Sequence, residues 1–175
     1  MNIDKIPATD SASEVLNVVI EIPAHADPIK YELDKESSSV WVDRFINVPM
    51  YYPANYGFVP RTLSEDGDPL DVLVVTPTPL MVGCVIPSRP LGALDMSDES
   101  GRDLKLLAVP KKGMNSGYDH IESIGHLDRN LLDQIVYFFE HYKKLETDKW
   151  VKVEGWLAPE DMQQEIAESI RRYES

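Results

Sequence analysis

The stretch Asp66-Gly67-Asp68-Pro69-Leu70-Asp71, followed at once by Val72-Leu73-Val74-Val75, constrains this chain more than any other. The apolar, β-branched run reads as a buried strand. Gly67 and Pro69 bend and stiffen the backbone ahead of it. Three carboxylates thus stand at the mouth of a rigid strand. Like charges this close repel and raise each other's pKa. A divalent cation, held by hard oxygen donors, relieves that conflict. Taken alone, the stretch reads first as a solvated acidic turn, because Asp-Gly and Asp-Pro are ordinary turn residues. It is not a helix-flanked calcium loop. Counted from Asp66, the sixth and twelfth places hold Asp71 and Pro77, where Gly and Glu are required.

Upstream, hydrophobicity alternates. Val15 to Ile22, Ile29 to Leu33 and Val40 to Ile46 each read as a strand, separated by turns at 23–28 and 37–39. Three short strands in succession predict an antiparallel meander or a small barrel. Each sets charge among apolar neighbours: Glu21, Lys30 with Glu32, and Arg44. Singly these are solvent-facing side chains; together they could line one mouth. Residues 1–13 read as a loose polar lead-in, and Pro49 to Pro60, rich in Tyr and Pro, as an irregular packed loop.

Downstream, Val82–Ile86 and Leu91–Leu94 are two more strand candidates. The acidic stretch 95–103 reads as a charged hairpin loop, and paired with 66–71 it could complete a polynuclear metal site. Lys105 opens a strand that Pro110 ends, and 111–125 reads as a polar loop. Asp128 is placed to cap a helix running to about Lys144, with Leu131, Leu132, Ile135, Phe138, Phe139 and Tyr142 as its buried stripe. Residues 150–156 alternate as a last strand. A second helix is expected from Pro159 to Tyr173.

Net charge of −13 excludes several functions. Nucleic-acid affinity rests on Lys and Arg neutralising phosphates, and an anionic membrane surface selects for the same residues. No apolar run approaches a bilayer's width, and the acidic N-terminal stretch is unlike a signal peptide. Cys84 is the only cysteine and sits among Val82, Val85 and Ile86, as a small buried hydrophobe would. The expectation is one domain spanning 1–175, cytoplasmic, without nucleic-acid or membrane partners.

Seven acids (Glu21, Glu32, Asp66, Asp68, Asp71, Asp98, Asp103) and four bases (Lys30, Arg44, Lys105, Lys143) are left unexplained by patterning. Acids of this kind bind divalent cations, and the accompanying bases bind a polyanion bridging those cations. That combination is the general design for metal-assisted phosphoryl transfer to water. A structural Mg²⁺/Ca²⁺ module would leave the bases without a purpose. An oligonucleotide-binding barrel conflicts with the charge.

The motifs resemble those of family I soluble inorganic pyrophosphatases of the short bacterial type. Asp66-Gly67-Asp68-Pro69-Leu70-Asp71-Val72 matches the family signature. Glu21-Ile22-Pro23, Ile29-Lys30-Tyr31-Glu32, Val42-Asp43-Arg44 and Tyr52-Pro53-Ala54-Asn55-Tyr56-Gly57 support it. So do Asp98-Glu99, Asp103-Leu104-Lys105 and Phe138-Phe139-Glu140-His141-Tyr142-Lys143. The resemblance implies an α+β fold, mainly β: a five-stranded OB-like closed barrel with two flanking helices. It implies Mg²⁺-dependent hydrolysis of pyrophosphate, several Mg²⁺ per site, and a homohexamer. It assigns Asp68 as general base with Tyr56 beside it. It assigns Asp66, Asp71 and Asp103 to two metals flanking the nucleophilic water, Asp98 with Asp103 to a third, and Glu21 and Glu32 to another through water. Lys30, Arg44, Lys105, Tyr142 and Lys143 would contact phosphate oxygens.

Overall fold

The computed structural model describes residues 3–10, 14–34 and 37–175. Its strands are β1 (Leu16–Ile22), β2 (Ile29–Asp34), β3 (Ser39–Phe45), β4 (Asn55–Phe58), β5 (Asp71–Val74), β6 (Val85–Asp98), β7 (Gly101–Pro110) and β8 (Val151–Trp156). The helices are α1 (Arg129–His141) and α2 (Pro159–Glu174). Antiparallel pairing joins β1 to β4, β4 to β5, β7 to β6 and β6 back to β1, and parallel pairing joins β5 to β7. Five strands thus close a ring, the barrel that the resemblance implies. β8 adds to β6 outside it.

Closure explains why Val72 to Val74 are apolar without alternation. Val72 and Val74 join Val18, Ile20, Leu106 and Ala108 in a cluster that fills the ring, with Met162 and Ile166 of α2 against it. Leu73 faces the other way, into a second cluster with Leu94, Met96, Leu107 and the α1 residues Ile135, Phe138 and Phe139. Both faces of β5 are therefore dry, which fixes where its first residue, Asp71, emerges.

Several expectations are corrected. β1 does not continue into a meander with β2 and β3. Its edges are taken by β4 and β6, so β2 and β3 form a separate two-stranded sheet. The supposed loop 49–60 contains β4, all four of whose residues are buried. Gly57 permits this: a Cβ there would lie 1.9 Å from the Val19 carbonyl oxygen. Of the candidate 82–86 only Val85 and Ile86 are strand, and they join 91–94 in one strand, β6, which bends at an irregularity between Pro90 and Gly92. The acidic stretch 95–103 is mostly strand. β6 runs to Asp98, β7 starts at Gly101, and the Asp98 carboxylate accepts the Ser100 N–H at 2.8 Å.

Segment 111–125 is built on short 3-10 turns, with Arg89 donating to the Tyr118 and Ile121 carbonyls at 2.9 and 2.8 Å. The lead-in 1–13 lies partly outside the described residues. Within them, Ile3–Lys5 forms a 3-10 turn whose Ile3 is buried with Val19, Leu33 and Phe58. Asp128 caps α1 by accepting the Asn130 N–H at 2.8 Å, but the helix stops at His141. Cys84 is half-buried against the ring's core rather than enclosed.

Candidate active site

The parallel register of β5 and β7 sets Asp71 beside Lys105. The Lys105 ammonium lies 2.5 Å from Asp71, 2.6 Å from Asp103 and 3.3 Å from the Tyr56 hydroxyl. Only 4% of Lys105 is exposed. Burial pushes its ammonium down, but the fields of Asp71 and Asp103 more than offset this and hold it well above its ordinary pKa. Asp103 is pushed up by burial, against the pull of Lys105, with Asp71 and Asp98 adding to the rise.

Asp71 also borders a polar cavity of about 150 Å³, lined by Glu21, Lys30, Glu32, Tyr56, Asp68 and Pro69 among others. Glu21 comes from the end of β1 and is nearly buried. Desolvation raises its pKa to about 8. A hydrogen bond from the Leu33 N–H at 2.7 Å opposes the rise, and Asp71 adds to it. Lys30 and Glu32, one pleat apart on β2, pair with each other. Asp66 lies just outside and accepts the Asp68 N–H at 3.0 Å. Partial burial raises its pKa, the Asp68 N–H resists, and Asp103, Asp68 and Asp71 add to the rise.

The remaining expected residues do not line this cavity. Lys143 is buried against Asp98 at 2.6 Å. Arg44 is held by Asp43 at 3.1 Å and Glu146 at 3.4 Å. Tyr142 stacks on Phe138, with ring centroids 5.2 Å apart. Burial raises the Tyr142 pKa, and the hydroxyl lies within the fields of Lys105, Asp103, Arg44 and Asp71. These fields tie the two groups of residues into one electrostatic neighbourhood.

Among the described residues, no three carboxylate, imidazole or thiol side chains converge to grip one cation. The donors still suit a hydrated divalent ion, which needs only one or two carboxylates and keeps waters elsewhere in its shell. Glu21, a buried carboxyl beside Asp71, is a group whose ionisation a cation would favour. Lys105 meanwhile supplies the positive charge between Asp71 and Asp103.

Sequence reasoning passed over Tyr52, Glu146 and Lys149. Tyr52 stacks between Tyr56 and Phe138, with centroids 4.9 and 4.6 Å away. Lys149 pairs with Glu99 at 3.0 Å. Tyr52 opens the Tyr52-Pro53-Ala54-Asn55-Tyr56-Gly57 motif. Glu146 and Lys149 follow α1 in a charged turn with no local signal. A larger cleft of about 510 Å³ lies between residues 49–53 and α1, but Asp133 is the sole carboxylate residue among those lining it.

A family model described as inorganic pyrophosphatase matches residues 18–174. An inorganic pyrophosphatase of Vibrio vulnificus (strain YJ016) is 56% identical over 172 residues, covering 98% of each chain. That of Escherichia coli (strain K12) is 54% identical over 172 residues with the same coverage. The structure of an inorganic pyrophosphatase from Coxiella burnetii superposes with a TM-score of 0.92 at 48% identity, covering 96% of this chain and 99% of that one.

Proposed function

The chain belongs to the inorganic pyrophosphatase family, and on that premise we propose that it hydrolyses pyrophosphate to two phosphates with Mg²⁺, Asp68 acting as general base. The observation that carries this reading is the junction at Asp71, where a carboxylate-lined cavity meets a buried lysine held between two aspartates. We read 1–175 as one domain serving that reaction.

Glu21, Glu32, Asp66, Asp71, Asp98 and Asp103 are the oxygen donors that would hold the Mg²⁺ ions. Bound there, the ions supply Lewis acidity at phosphoryl oxygens and lower the pKa of water from 15.7 toward ~7. Lys30, Arg44, Lys105, Lys143 and the Tyr142 hydroxyl bind the anionic oxygens of the substrate and orient it for in-line attack. Lys105 is suited to this because the two acids beside it keep it charged despite its burial and fix its ammonium. Asp68, exposed at the cavity edge, takes the proton of the attacking water at its carboxylate. The buried Tyr56 hydroxyl keeps its proton and can donate to an oxygen in the cavity.

Purified protein should release phosphate from pyrophosphate when Mg²⁺ is present and stop when EDTA removes the metal. Undiminished turnover in EDTA would overturn the metal requirement, and no release under any condition would overturn the activity.

A further inference from the structure

Arg44 and Glu146 lie far apart in sequence, yet Arg44 Nε and Glu146 Oε1 approach to 3.4 Å. Both atoms are shut off from solvent, and among the described residues neither has a hydrogen-bond partner. Their contact is with each other. The Glu146 side chain is 12% exposed, and its backbone N–H donates to the Lys143 carbonyl at 2.9 Å. Glu146 is therefore anchored to the turn that carries Tyr142 and Lys143. Arg44 comes from β3, in the sheet set apart from the ring, opposite Lys30 in the β2–β3 register. Asp43 holds the other edge of the guanidinium, at Nη1.

We propose that Glu146 is a positioning residue for Arg44. The Glu146 charge against Nε and the hydrogen bond from Nη1 to Asp43 hold the guanidinium from two sides, with Nη2 left to donate to a phosphate oxygen. A planar fork binds phosphate well only when its orientation is fixed beforehand. Neutralising Glu146 removes the buried negative charge that faces Nε and frees the guanidinium to turn. The pair also ties the β2–β3 sheet, with Lys30, to the turn that carries Lys143.

This inference rests on the reading of the site as one for pyrophosphate, so its test separates binding from turnover. Affinity for methylenediphosphonate, a non-hydrolysable diphosphate, is measured by calorimetry with Mg²⁺ for wild type, Glu146→Gln, Arg44→Gln and the double variant. Steady-state kinetics on pyrophosphate run alongside. Glu146→Gln should weaken diphosphonate binding and raise KM about tenfold, with kcat changed by no more than about twofold. In the Arg44→Gln background the same substitution should change neither. Glu146→Asp, which keeps the charge on a shorter arm, should fall between wild type and Glu146→Gln; it carries the same cycle if the glutamine variant does not fold. Wild-type affinity in Glu146→Gln, or an undiminished Glu146 effect without Arg44, would overturn the positioning role alone. A wild-type protein that binds no diphosphonate would overturn the reading of the site and this inference with it.

Discussion

Asp68 and Asp71 stand three positions apart in different surroundings. Asp71 starts β5, half-buried, and neutralises Lys105; Asp68 is exposed at the cavity's edge. Asp71→Asn should weaken activation by Mg²⁺, with turnover partly restored by more metal. Asp68→Asn should leave metal affinity nearly intact while turnover falls by roughly 10²–10⁴. An amide cannot take the water's proton, and extra Mg²⁺ does not replace it. A Mg²⁺ titration of both variants, read as phosphate release, checks this; full recovery of Asp68→Asn at high Mg²⁺ would make Asp68 a ligand instead. Glu21 gives a second test. Its pKa rises to about 8 in the fold from an ordinary 4.5. The folded chain thus keeps a proton that the unfolded chain releases between those values. Its contribution to stability is complete below about pH 4.5 and lost as pH climbs through about 8. In EDTA, the thermal midpoint of wild type should fall with pH across this window. Glu21→Gln should flatten that slope, and an unchanged slope would assign it to other groups.

At the scale of elements, ring closure depends on how near β1 comes to β4. Gly57 faces Ile20 across that pair, and the Val19 carbonyl fills the space a side chain would need. The obstacle is backbone, so it cannot swing away as a side-chain tip would. Gly57→Ala should cost about 3 kcal/mol or more, at the upper end of overpacking penalties. Denaturant unfolding measures it; a loss under about 1 kcal/mol would mean that the ring yields there. The neighbouring Asn55 is fully buried and its side chain meets the Ala24 and Leu80 N–H groups, the Val74 carbonyl and the Thr76 hydroxyl. One amide therefore joins the chain beyond β1 to the end of β5, the two strands that deliver Glu21 and Asp71.

At the scale of the whole molecule, we expect six copies to assemble. Exposed Tyr51 and Tyr137 border the apolar cleft beside α1, and burying such a surface favours association. Light scattering at micromolar concentration should give six chain masses, and a stable monomer would refute the hexamer. Among the described residues, no helix is long and apolar enough to cross a membrane. The sequence by itself determined β1, β2, β3, β5, β7 and β8 to within a few residues, both helices with their apolar stripes, the Asp128 cap and the acid-rich stretches. All of these are local: period, cap and turn chemistry act within a few residues. It misjudged β4, because Tyr- and Pro-rich sequence carries little strand pattern, and it split β6 at Pro87 and Pro90, which the bent strand accommodates. It could not show that β1 would pair with β4 and β6 rather than β2, since strand partners are chosen by which edges remain open once the ring closes. Nor could it show that Lys105 would lie between Asp71 and Asp103, or that Glu146 would reach Arg44. Those contacts join residues distant in the chain, and only the tertiary structure, by burying them together, turns separate charges into one site.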